Sequence, residues 1–122
     1  MRMPQITIDY SDTMENAFDR EGFARALHEA TVEIAAAKPE ACKTQFRPSA
    51  YTAFGYEDPG ARGHAVVHVT IGLLAGRADE TKERLAEAAL ELLREHVADA
   101  AFTLHASAEI RDLDPSYRKF DR

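Results

Sequence analysis

HAVVHVTIGLLAGR, running from His64 to Arg77, is nearly continuous in β-branched and aliphatic residues. Such content suits a strand buried on both faces, so the stretch is expected to be the central strand of a sheet, closed by Gly76. On its N-terminal side, EDPGARG carries the Pro59-Gly60 pair, a strong turn signal. Before that turn, Lys43 to Tyr56 is rich in Thr, Phe and Tyr and reads as an extended strand. On the C-terminal side a helix is expected from Asp79 as N-cap, with Glu80 and Glu83 near its start. Its apolar face is carried by Leu85, Ala89, Leu92, Leu93 and Val97. Phe102 to Ile110 alternates enough to make a final strand, followed by a polar tail anchored by Leu113, Tyr117 and Phe120.

The N-terminal half repeats the order. Ile6, Ile8 and Tyr10 alternate with Gln5, Thr7 and Asp9, the period of a half-buried strand that the Ser11-Asp12 pair ends. Phe23, Leu27, Ala30 and Ile34 then recur at helical spacing between Asp19 and Lys38, and Pro39 stops the pattern. Strand, helix, strand, twice over, predicts two right-handed β-α-β units. The expected architecture is α+β in two layers: a four-stranded sheet with both helices on one face. The other face is left bare and partly apolar, which favours homo-oligomerisation through it.

At 122 residues and 13.6 kDa, with 45% hydrophobic residues, the chain has the size and the apolar content of one domain spanning 1–122. Fifteen Lys and Arg against 21 Asp and Glu give a net charge of −6, so nucleic acid is not an expected partner. The apolar runs are too short to cross a bilayer and the N-terminus lacks a secretory signal, so neither a membrane nor export is expected. Cys42 is the sole cysteine, so no intrachain disulfide can form, and a cytoplasmic protein is the expectation.

The residues offer several candidate chemistries. His64 and His68 share a strand face, but four residues separate them by about 13 Å, too far for one metal ion without ligands from elsewhere. No metal site is expected. His28 and His96 lie on helices beside carboxylates, where solvated or helix-terminal roles suffice. Glu83, Glu87, Glu91 and Glu95 repeat along one helix face as a solvated stripe, and Cys42 reads as a small packed residue. LAGRADE holds one Gly before a helix start and no nucleotide fingerprint. Arg47, between Phe46 and Pro48, and Arg77, leaving the central strand, stand apart from such stripes. Converging, they would hold a small carboxylic acid, although spacing alone does not bring them together. Pro4 is ordinary as the first residue of a strand. Were the chain to begin there, its secondary amine would be a general base, with a pKa falling from about 8 toward neutrality in an apolar pocket.

MPQITIDYSD, VVHVTIGLLAGR and SAEIRDLDPSYRKF, taken in order, resemble segments of the 5-carboxymethyl-2-hydroxymuconate isomerase family. That family lies in the tautomerase superfamily with 4-oxalocrotonate tautomerase and macrophage migration inhibitory factor. The resemblance covers nearly the whole chain. It implies a homotrimer of double β-α-β subunits whose sheets line the centre, with active sites near subunit boundaries. The family's N-terminal proline base falls on Pro4, and its substrate-binding arginines on Arg77 and, across a one-residue gap, Arg47. Tyr51 and Phe54 fall where the family has large aromatics, and would line an apolar wall. The implied activity moves a double bond in a small unsaturated keto or hydroxy acid during aromatic-compound degradation, with no metal or organic cofactor. Met1-Arg2-Met3 precedes Pro4 here, and Met before Arg is not expected to be trimmed. The Met3-Pro4 pair therefore points to translation from Met3. Two alternatives stay open: a noncatalytic trimer of the same fold with Pro4 blocked by Met1-Arg2-Met3, and another proline-based activity such as dehalogenation or hydration.

Overall fold

A computed structural model describes residues 4–57 and 63–122. The Pro59-Gly60 turn and Met1-Arg2-Met3 lie outside the described residues. Alternation in the first segment makes β1 (Gln5–Ser11), whose Ile6, Ile8 and Tyr10 are buried while Gln5, Thr7 and Asp9 face away. A 3-10 helix (Asp12–Ala17), not foreseen in the sequence, carries the chain from β1 toward α1 and buries Met14. α1 (Arg20–Ala35) starts where the Asp19 side chain accepts from the Gly22 amide at 3.0 Å, and buries Phe23, Leu27, Thr31 and Ala35. It stops three residues short of Lys38, because Ala36 takes a left-handed φ of 58° and Lys38 is extended before Pro39.

β2 (Lys43–Ser49) is shorter than the expected run to Tyr56. Its partner β1 ends at Ser11, opposite Ser49, and nothing remains beyond that for residues 50–57 to pair with. β3 (His64–Leu73) and α2 (Asp79–His96) follow, then β4 (Thr103–Asp112), two residues longer than expected at its end. Asp79 is the first residue of α2 rather than its N-cap. The Ala78 carbonyl accepts from the Thr81 and Lys82 amides at 3.1 and 3.2 Å, which makes Ala78 the cap residue. Asp79 and Glu80 still complement the helix dipole from the first turn.

The sheet order is β2-β1-β3-β4, with β1 parallel to β2, β3 parallel to β4, and β1 antiparallel to β3 at the centre. Both helices cover one face, so Leu85, Ala89 and Leu93 of α2 share a core with Phe23 and Leu27 of α1 and with Ala65, Val67, Val69 and Ile71 of β3. β3 is central as expected, but it is not buried on both faces. Its residues alternate, and His64, Val66, His68 and Thr70 are only half-buried on the uncovered side. That uncovered side, expected to be partly apolar, carries Val66 but is mostly polar. Thr7 and Asp9, Gln45 and Arg47, His68 and Thr70, Ser107 and Glu109 make it polar. His and Thr look compatible with burial in a linear reading, which hides the alternation. No helix among the described residues is long and apolar enough to cross a membrane.

Candidate active site

Strand register fixes where each candidate residue stands. Gln5 pairs with Lys43 and with Gly72, so buried Pro4 lies one step beyond, at the sheet end where β1 and β2 begin and β3 finishes. Chain direction then puts the end of α1 and the loop leaving β3 at this same end. Between them runs an open cleft of about 490 Å³, lined by Ile34, Ala35, Leu74, Gly76, Arg77 and Thr81. Gly76 has a φ of 121°, a conformation that side-chain-bearing residues rarely adopt, and it turns the chain so that Arg77 reaches back to α1.

Arg77 is half-buried and already engaged. Its Nε and Nη2 donate to the Ala35 carbonyl at 3.0 and 2.9 Å, and its Nη1 donates to the Leu74 carbonyl at 3.0 Å. The last carbonyls of a helix carry partial negative charge, so a guanidinium clamped there is both a cap and a pre-oriented cation. Gln5 Nε2 donates to the Tyr117 hydroxyl at 3.1 Å, and the Leu113 amide donates to the Leu73 carbonyl at 2.6 Å. A Cβ on Gly72 would meet Leu113 Cδ2 at 2.7 Å, so glycine is what lets the tail close over this end of the sheet. The polar tail is therefore packed beside the head of β1.

Arg47, Tyr51 and Phe54 stand elsewhere. Arg47 pairs with Asp9, five residues along from Pro4, or about 16 Å at strand rise. On the uncovered face it forms a fork with that carboxylate, Nε to Oδ1 at 2.8 Å and Nη2 to Oδ2 at 3.2 Å. The hydrogen bond to Asp9, and then its charge, push the guanidinium pKa up, so Arg47 is permanently cationic. Tyr51 is 65% exposed beyond the end of β2. Its neighbours Ser49 and Thr52 share with Asp9, Ser11 and His68 a shallow cleft of about 330 Å³. Phe54 lies against His64 and His105, ring centroids 4.1 and 4.2 Å away. His64 precedes Gly72 by eight residues, so Phe54 sits about 26 Å from the Pro4 end. Within one chain the sequence-derived site is thus two half-sites: Pro4 with Arg77 at one end of the sheet, and Arg47 with Tyr51 and Phe54 toward the other.

Among the described residues no three His, Cys, Asp or Glu side chains gather as metal ligands. His28, expected in a solvated or helix-terminal role, instead joins α1 to β2 through Nε2 and the Thr44 hydroxyl at 2.7 Å, and burial pushes its pKa below the ordinary 6.5. His96 is helix-terminal, its Nδ1 on the Leu92 carbonyl at 2.7 Å. Cys42 is buried, and that burial raises its thiol pKa. Sequence reasoning missed the Asp9–Arg47 fork and the His64–His105 pair. Both are contacts between strands, and a strand's own spacing carries no trace of them.

A profile of the 5-carboxymethyl-2-hydroxymuconate isomerase family matches residues 4–120. Among solved structures, the 5-carboxymethyl-2-hydroxymuconate isomerase of Deinococcus radiodurans R1 has a TM-score of 0.81 at 21% identity, covering 98% of this chain and 90% of that one. A second structure, a 5-carboxymethyl-2-hydroxymuconate delta-isomerase, gives 0.77 at 15% identity over 98% and 89%. A macrophage migration inhibitory factor-like protein of Entamoeba histolytica gives 0.63 at 17% identity over 98% and 96%. At these identities the structural likenesses show a shared fold. No curated protein matches the sequence.

Proposed function

The chain belongs to the 5-carboxymethyl-2-hydroxymuconate isomerase family and is an isomerase of tautomerase fold, and from that premise we propose that Pro4 is its base. Freed of the preceding residues, the Pro4 nitrogen is a secondary amine with no side chain competing for its role. Pro4 is buried, and burial favours the neutral form of an amine. The amine takes a proton from a carbon beside a carbonyl in a small unsaturated keto or hydroxy acid. The electron pair left behind spreads into a dienolate, and the proton returns farther along the conjugated system, so that one double bond has moved and no atom is gained or lost. Arg77, held rigid by the end of α1, binds a carboxylate and offsets the developing negative charge, with no reorganisation needed at the moment of reaction.

Arg47, Tyr51 and Phe54 stand about 16 Å or more from Pro4 in their own chain, so in this reading they serve the Pro4 of a neighbouring subunit. A homotrimer closed head to tail joins the two half-sites three times over. The polar uncovered face is then an interface mated by hydrogen bonds and paired charges rather than by apolar area. The observation that carries the reading is the place of Pro4, which is buried at the head of β1, first in the family match, and at the same sheet end as Arg77.

The test is intact mass on protein from its native source, together with an assay of 2-hydroxymuconate ketonisation. A mass beginning at Pro4 with turnover is expected. A mass retaining Met1 without turnover would overturn the proline mechanism and leave a noncatalytic trimeric module as the reading.

A further inference from the structure

Residues 50–57 leave β2 without regular structure and return to the sheet through few groups. Thr52 Oγ1 meets Ser11 Oγ at 2.9 Å, the Ser49 hydroxyl donates to the Tyr51 carbonyl at 3.0 Å, and the Glu57 amide donates to the Phe54 carbonyl at 3.1 Å. A further anchor is aromatic. Phe54 stacks on His64 at 4.1 Å with 11° between planes, and on His105 at 4.2 Å with 27°. The two imidazoles are only 5.2 Å apart, whereas rings on opposite faces of Phe54 would be separated by nearly the sum of the two stacking distances. Both histidines therefore support the same face of the phenyl ring.

Hydrogen bonding fixes how the pair is assembled. Glu57 Oε2 lies 2.5 Å from His64 Nε2, and an ionised carboxylate only accepts, so Nε2 carries the proton. His64 Nδ1 lies 2.9 Å from His105 Nε2, within hydrogen-bond distance. Glu57 of the loop, His64 of β3 and His105 of β4 are thus joined in one connected series. The same two rings that carry Phe54 also hold Glu57, at the end of the segment Phe54 belongs to.

We propose that His64 and His105 are positioning residues for substrate binding: together they pin Phe54, and through Glu57 the whole 51–57 segment, as a rigid aromatic wall for a small unsaturated acid. This rests on Phe54 facing substrate, as proposed above. A pinned ring meets the substrate without first losing its own rotational freedom, so the pair acts on binding and leaves the proton transfer alone.

The chain contains no Trp, so Phe54→Trp introduces a single indole that reports on this wall. In that background His105→Ala is expected to lower the indole's fluorescence anisotropy and raise its quenching by acrylamide, whereas His105→Phe, which keeps a ring to stack on, is expected to leave both near the parent values. With Phe54 intact, His105→Ala is expected to raise KM for 2-hydroxymuconate about threefold to tenfold with kcat unchanged, and His105→Phe to restore most of it. An indole as immobile without His105 as with it would overturn the proposal. So would an unchanged KM once the wall has loosened, or a loss confined to kcat. A wild-type protein that fails to turn over 2-hydroxymuconate would instead bring down the functional reading and this proposal with it, and that failure is visible before any variant is made.

Discussion

The proposed division of the site between chains has a consequence that a mixture of two crippled proteins tests. Arg47 lies about 16 Å along the sheet from Pro4 and Phe54 about 26 Å, whereas a small substrate held by two arginines spans roughly 6 to 8 Å. One chain cannot supply both ends of one site. In the proposed trimer Pro4→Ala removes the ring and the secondary amine, and Arg47→Ala the second proposed carboxylate ligand, so each variant alone should have little turnover. When the two variants are co-refolded in equal amounts and assort at random, a site is whole if the subunit lending Pro4 is the Arg47 variant and its neighbour is the Pro4 variant. Each condition holds half the time, so about a quarter of wild-type turnover should return, with each parental protein near zero. The assay is 2-hydroxymuconate ketonisation before and after co-refolding, with native mass spectrometry confirming mixed trimers. Mixed trimers with no recovered turnover would refute the division of the site. So would a Pro4→Ala and Arg47→Ala double variant that regains activity when mixed only with itself.

Arg77→Ala is expected to cost about 2 kcal/mol of stability, because the buried Ala35 carbonyl loses a charged donor in a cleft that water can partly refill, and to lower kcat/KM by about 10² to 10³. An activity loss no larger than the unfolded fraction in urea titrations would reduce Arg77 to a helix clamp. Ala36→Gly should stabilise by up to about 1 kcal/mol, since Ala36 holds a φ of 58° at the end of α1, and a lowered urea midpoint would contradict that. Burial pulls the folded-state pKa of His28 below 6.5, so the unfolded chain takes up the proton first. Its stabilising contribution is complete above 6.5 and is lost as pH falls through that value toward the lower folded pKa, and the urea midpoint should fall less between pH 7.5 and 5 in His28→Gln than in the wild type.

The layers of the fold were legible because each rests on a local period. Ile6, Ile8 and Tyr10 at spacing two, and Phe23, Leu27 and Ile34 at helical spacing, name the face that each element buries without reference to any other element. The misreadings came where a pattern depends on a neighbour. β2 stops at Ser49 because β1 stops opposite it, a fact of pairing that the Thr- and aromatic-rich run to Tyr56 does not contain. Ala78 caps α2 because its carbonyl is the first to accept helical hydrogen bonds. Asp79 has the better capping side chain but lies one residue too far along. His68 and Thr70 passed as core residues in β3 because each is amphipathic enough to sit on either face, and only the absence of a covering layer in this chain places them at a surface.

The candidate site divides along the same line. Pro4 and Arg77 are marked by chemistry that a sequence displays, a secondary amine in waiting and an arginine behind a glycine turn, and the structure sets both at one end of the sheet. His64 and His68 stand about 13 Å apart within one strand, a spacing that speaks only of neighbours along the chain. In the parallel register of β3 and β4, His105 lies opposite Val66, one step on the same face from His64, so residues 41 positions apart come within 2.9 Å. A shift of that register by one residue would turn His105 to the helix side and leave Phe54 without half of its support. Register is set by the cores of both β-α-β units packing at once, so the histidine pair follows from Leu104 and Ile110 being apolar as much as from the histidines themselves.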